Sequence, residues 1–133
     1  MPYNILVFTP RKPDISHADF KQHFETIHMP MLQRYGGEHF PKHHKRHYLQ
    51  FSESNQLTVL RGHKSVCNFD AISEISFDDE AAFHAFMAAL KVEEASKTLR
   101  EDEKKFCDSE RLTVVVVGDV RETERAAHNP SLQ

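Results

Sequence analysis

The chain has no tryptophan, only four glycines and only two cysteines among its 133 residues. Each scarcity excludes a class of protein. With so few glycines and no glycine-rich run, no loop of the kind that cradles a nucleotide phosphate is expected. Cys67 and Cys107 stand alone, with no CxxC pair, and read as reduced thiols of a cytoplasmic protein, not as a disulfide framework. No run of about 18 apolar residues occurs, so no membrane span is expected. The opening MPYNILVFTPRK has neither a basic start nor a long apolar stretch, which argues against a signal peptide. An excess of charge of one sign is missing too. The net charge is −3 with both signs interspersed, so nucleic acid is not the expected partner.

What is present is a soluble composition, 39% apolar and 28% charged, of a length that suits one domain. Ten histidines stand against three tyrosines. Histidine is the side chain that changes charge near neutral pH, so the excess hints at proton chemistry or metal binding.

Along the chain, Tyr3–Thr9 is short, apolar and followed by prolines, and reads as a strand. Ser16, with Asp19 three residues on, resembles a capping box at a helix start. Phe20, Phe24, Ile27 and Met31 then fall on one helical face, and Gly36-Gly37 ends the helix. Pro30 lies inside it and cannot donate to the Thr26 carbonyl, so a bend is expected there, with His28 at the bend. Lys42–Phe51 reads as a strand, with His43, Lys45, His47 and Leu49 on one face and His44, Arg46 and Tyr48 on the other. Residues 52–67 form a long connection with an apolar centre, a lid or short hairpin that packs on something. Asn68–Phe77 alternates cleanly, with Phe69, Ala71, Ser73, Ile75 and Phe77 in one row and Asp70, Ile72, Glu74 and Ser76 in the other. Asp78 or Asp79 caps a second helix with Phe83, Phe86, Met87 and Leu90 as its buried stripe. A short extra helix is expected within Lys97–Asp108, anchored by Leu99 and Phe106. Leu112–Val117 is apolar on both faces, as in a strand covered on both sides. Residues 1–120 thus form one domain, with 121–133 a polar tail.

The order β-α-β-β-α-β is that of the ferredoxin-like α+β fold. Two helices cover only one face of a four-stranded sheet. The other face must be buried by something else, and a second copy of the sheet is the economical solution.

Four constellations are candidates for chemistry. His28 at the Pro30 bend suits a general acid/base, its imidazole being matched to neutral pH; the plain alternative is a half-buried histidine bonded to backbone. Asp70, Glu74 and Ser76 share the mixed face of the third strand. They either orient His28 and receive a substrate hydroxyl, or face solvent and pair with bases of the second strand. His39, His43, His44 and His47 cluster, but only His43 and His47 converge on a strand, short of the three or four ligands zinc needs; that pair reads as a pocket wall or anion site, with Phe40, Tyr48 and Phe51 as aromatic neighbours. Arg11-Lys12 reads as a solvated turn.

The stretch Arg11-Lys12-Pro13-Asp14-Ile15-Ser16, then Phe20–Phe24, then His28-Met29-Pro30, resembles the start of EthD-type domains. Phe69–Phe77 resembles their third strand, and Phe106-x-Asp108-x-Glu110-Arg111 resembles the run before their last strand; the likeness spans roughly residues 3–119. Two positions depart from the family pattern: Asp14 stands where glycine is frequent, and Ser76 where an aromatic is. The resemblance implies a dimeric α/β barrel. It is nearest in flavour to small fungal enzymes of aromatic polyketide pathways, which act as decarboxylases or dehydratases on anthrone-type intermediates. A cofactor-free, metal-free lyase follows from it, with His28 as proton carrier, Asp70 or Glu74 orienting it, His43 or His47 holding a substrate carboxylate, and Phe24, Tyr48 and Ser76 completing the pocket. The same barrel would also suit a cofactor-free anthrone oxygenase, a heme- or metal-binding barrel, or a binding module without catalysis.

Overall fold

A computed structural model describes residues 1–128; residues 129–133, the end of the expected tail, lie outside the described residues. Strand β1 (Tyr3–Thr9) leads into helix α1 (His17–His23), a π turn (Phe24–His28), helix α2 (Met29–Gly36) and a 3-10 turn (Gly37–His39). Strands β2 (His43–Tyr48) and β3 (Ala71–Phe77) follow, then helices α3 (Glu80–Leu90) and α4 (Glu93–Phe106) and strand β4 (Thr113–Val116). The sheet runs β2-β3-β1-β4, with every neighbouring pair antiparallel. This is the ferredoxin-like α+β arrangement read from the sequence.

Local chemistry sets the helix boundaries. The Ser16 hydroxyl accepts the Asp19 N–H at 3.0 Å, and Asp79 accepts the Ala82 N–H at 2.8 Å. Each cap satisfies a donor that the first helical turn leaves orphaned. Helix α2 ends where Gly37 turns to φ +53°, a conformation that glycine adopts without the usual Cβ penalty.

The register decides which side chains meet the helices. Ile5, Val7 and Thr9 of β1, Ala71, Ser73, Ile75 and Phe77 of β3, and His44, Arg46 and Tyr48 of β2 share one face. Phe20, Phe24, Met29 and Phe106 pack over one part of it, and Phe86 with Ile5, Ile75 and Phe77 over another. Each fully buried phenylalanine contributes roughly 1.5–3 kcal/mol. The opposite face carries Leu6 and Phe8 beside Ile72 and Val115, and no element among the described residues covers it. On the edge strand β4, Val114 is 51% and Val116 59% exposed, so the two-sided burial expected there is not met within one chain.

Three further expectations are corrected. The stripe of the first helix does not run through Ile27, which is 43% exposed, but steps from Phe20 and Phe24 to Met29. The helix expected within Lys97–Asp108 begins earlier, at Glu93, and buries Ala95, Leu99, Asp102 and Phe106. Strand β3 starts only at Ala71; Phe69 lies before it and packs on Phe8, their ring centroids 5.3 Å apart. Among the described residues no helix is long and apolar enough to cross a membrane.

Candidate functional site

Pro30 has no N–H to close an α turn on Thr26. The chain takes up a wider turn just before it, where the Met29 N–H reaches back five residues to the Phe24 carbonyl. The extra residue advances the helix phase by one position. That is why Met29 follows Phe24 into the core and Ile27 swings out. It also sets His28 at the end of the π turn, where its ring lies against Phe106 with centroids 4.9 Å apart and edge-on to Phe24 at 5.9 Å.

The partner of His28 is Asp102 of α4, which is only 2% exposed. Its two carboxylate oxygens each hold one imidazole, His28 Nδ1 at 2.9 Å and His23 Nε2 at 2.9 Å. A carboxylate accepts and cannot donate, so the His28 proton sits on Nδ1 and the lone pair is left on Nε2. Burial is the largest influence on His28 and pulls its pKa below the ordinary imidazole value, while the Asp102 hydrogen bond and charge pull the other way. The ring is therefore neutral near pH 7, its tautomer set by a buried carboxylate.

His28 lines a cavity of about 590 Å³ between the sheet and helices α2 to α4. Phe24, Phe86, Met87, Leu99 and Val114 make its wall mainly apolar, and Lys91 and Arg100 bring positive charge to its lining. Cys107 also lines it, but burial pushes that thiol far above its usual range and leaves it protonated.

The other residues singled out in the sequence divide between this cavity and elsewhere. Phe24 lines it. Tyr48 stands behind Phe24, with ring centroids 6.1 Å apart, and donates to Glu25. Burial and that hydrogen bond raise the Tyr48 phenol pKa, so it stays protonated. Glu25 also grips Arg46, and that ion pair holds its carboxyl below the usual range.

The expectation that Asp70 or Glu74 orients His28 is corrected, because Asp102 occupies that position. Asp70 is buried at the start of β3, where it takes the Arg11 Nε–H at 2.9 Å and His17 Nδ1 at 2.7 Å. Arg11 is thus the half-buried partner of a buried carboxylate and not part of a solvated turn. Asp70 and Arg11 line a second cavity of about 320 Å³, roofed by the hairpin that Phe51 and Leu57 close. That hairpin packs on α1, with Phe51 stacked on His17 at 4.2 Å, and none of its residues lines the larger cavity.

His43, His47, Glu74 and Ser76 lie on the open face of the sheet, across from His28. The reason is the register: His43 pairs with Ser76 and His44 with Ile75, so the odd-numbered residues of β2 point away from the helices. His47 pairs with Glu74 there, and Ser76 donates to Asn4 Oδ1 at 2.7 Å. Among the described residues no three histidine, cysteine or carboxylate side chains converge as a metal site.

Asp102 was not among the residues singled out. The signal was available: Ala95, Leu99, Asp102 and Phe106 follow i, i+4, i+7, i+11, which puts a carboxylate on an apolar helical stripe.

A protein-family model described as the EthD domain matches residues 12–110. Similar solved structures include an EthD family protein from Bacillus halodurans, 18% identical over 89% of this chain and 99% of its own, with a TM-score of 0.54. An EthD-like protein from Ralstonia eutropha is 17% identical over 87% of both chains, with a TM-score of 0.52. HapK from Hahella chejuensis is 10% identical over 96% of this chain and 100% of its own, with a TM-score of 0.53. At these identities the likeness is one of fold. No curated protein matches.

Proposed function

Because the chain belongs to the EthD domain family and sets a neutral, aspartate-held histidine in an apolar cavity, we propose that it is a cofactor-free lyase, a decarboxylase or dehydratase of an aromatic polyketide acid of anthrone type. The observation that carries this reading is the His28–Asp102 pair, with the lone pair of His28 Nε2 left free beside a cavity of about 590 Å³. That volume lies within the usual range for small-molecule sites, roughly 300–1,000 Å³.

A neutral base suits both reactions. For a β-keto acid, His28 Nε2 takes the carboxyl proton, the bond to the carboxyl carbon breaks, and its electron pair passes into the enolate as CO₂ leaves. The imidazolium then returns the proton to the enolate carbon. For dehydration, the same nitrogen takes the α-proton and gives it to the departing hydroxyl. In each case the histidine begins and ends neutral, and Asp102 stabilises the imidazolium in between. With His43 and His47 on the far face, anchoring of a substrate carboxylate passes to Lys91 and Arg100.

The test is turnover of an anthrone-type β-keto acid by the purified protein, followed by product mass. Loss of CO₂ or of water supports the reading, and His28→Ala should lower turnover by about 10²–10⁴-fold. Unchanged turnover in that variant, or an oxidised quinone as product, overturns it.

The uncovered sheet face supports a homodimer, in which Leu6, Phe8, Ile72 and Val115 of two copies would meet. Sedimentation should then give twice the chain mass; a species near 15.4 kDa at micromolar concentration refutes it.

A further inference from the structure

The cavity holds a second histidine, His44, which enters from the sheet opposite the helix that bears His28. Arg46 Nη1 lies 3.0 Å from His44 Nδ1 and 3.0 Å from the His44 carbonyl oxygen. A guanidinium only donates, so His44 Nδ1 must be the acceptor, and the ring proton is confined to Nε2. Arg46 is itself clamped from behind by Glu25, its Nη2 3.0 Å from Oε1, and Glu25 is held by the Tyr48 hydroxyl. The two cavity histidines are thereby fixed in opposite tautomers. His28 presents a lone pair and His44 an N–H. Among the described residues neither Nε2 atom has a hydrogen-bond partner, and neither is among the buried polar atoms sealed from solvent.

We propose that His44 is a second catalytic residue, the neutral hydrogen-bond donor to the substrate carbonyl oxygen as it becomes an enolate, with Arg46 as the positioning residue that fixes its proton. The proposal rests on the lyase reading and deepens it. Both decarboxylation of a β-keto acid and dehydration of a β-hydroxy ketone move an electron pair onto that oxygen. A base alone leaves the developing charge unmet; a donor placed for it lowers the barrier. No proton is transferred from His44, so the balance of the reaction is unchanged.

The surroundings also keep His44 uncharged. Phe40 stacks on its ring, and burial and the Arg46 charge drive its titration down to about 4; His28 adds to this, and the backbone hydrogen bond and the Glu25 charge oppose it without reversing it.

Three measurements decide the matter. In wild type, ¹⁵N shifts should show His44 with Nε2 protonated and Nδ1 bare from pH about 5 to 8; titration near neutral pH, or the other tautomer, refutes the proposal. His44→Phe, which removes the donor, should lower kcat by about 10²–10³-fold with little change in KM. His44→Gln, which restores an N–H, should recover much of that loss. Binding of 1-naphthol, a stable mimic of the enol, should weaken about tenfold in His44→Phe and be recovered in His44→Gln. If His28→Ala leaves turnover intact, the lyase reading fails. If His28→Ala is inactive while His44→Phe keeps full turnover and full naphthol affinity, the role of His44 alone fails.

Discussion

Asp102→Asn changes almost nothing in volume and removes one hydrogen-bond acceptor at the centre of the site. The buried carboxylate receives His23 Nε2 and His28 Nδ1, each at 2.9 Å. Asparagine offers one carbonyl oxygen, and its NH₂ must face the second imidazole. Two N–H groups cannot face each other, so one histidine must move its proton to the other ring nitrogen. If His28 moves, its Nε2 becomes a donor and the lone pair it presents to the cavity is lost. If His23 moves, the Asp102 charge that would steady a His28 imidazolium is still gone. A hydrogen bond to a charged group contributes about 1.5–3 kcal/mol, and its neutral counterpart about 0.5–1.5. Exchanging two of the first kind for two of the second predicts a destabilisation of about 2–3 kcal/mol. Urea unfolding followed by circular dichroism near neutral pH measures it, with an unchanged m-value showing that the denatured state is the same. Asp102→Ala, which strands both imidazoles, should cost more than Asp102→Asn. Stability of Asp102→Asn within about 0.5 kcal/mol of wild type would refute the claim that this carboxylate organises the two histidines.

Two more predictions test the helix phase and the second histidine. Met29→Ala should cost about 2–5 kcal/mol in urea unfolding, whereas Ile27→Ala should stay within about 0.5 kcal/mol; the reverse order would mean the α register persists through Pro30. His44 titrates at about 4 in the folded chain, against an ordinary imidazole value of 6.5. The unfolded chain therefore binds the extra proton first, and stability falls as pH drops from 6.5 toward 4. The shift sets a ceiling of about 3 kcal/mol on that loss. His44→Gln should flatten this part of the stability curve, and parallel curves for variant and wild type would refute the assignment.

The fold was legible because each element carried its own punctuation. Ser16 and the pair Asp78-Asp79 marked helix starts, Gly36-Gly37 marked a stop, and the alternation in Asn68–Phe77 named the buried row of β3. His28 was legible through Pro30, since a missing N–H is a local property. The rest of the site was not local. The two rows of β2 were separable in the sequence, but which one faces the helices depends on the pairing of His44 with Ile75, a contact between segments far apart in the chain. The row with His43 and His47 carries the more conspicuous histidines, yet the cavity receives His44. Asp102 was hidden for another reason. It sits in Lys97–Asp108, a stretch so rich in charge that one more carboxylate looked solvated. Only its place between Leu99 and Phe106 on the buried stripe distinguished it. Asp70 misled because its row in the alternation ran past the true start of the strand.

The π turn has a consequence for how this site can change. One residue corresponds to about 100° of rotation about a helix axis. Deleting a residue within Phe24–His28, or any change that returns the turn to α spacing, would rotate α2 by that angle relative to α1. Met29 and His28 would trade places with their neighbours together. His28 and the core are thus geared to a single screw: a lineage of such proteins is free to remodel the cavity wall residue by residue, but it cannot re-aim this histidine without turning the helix beneath it.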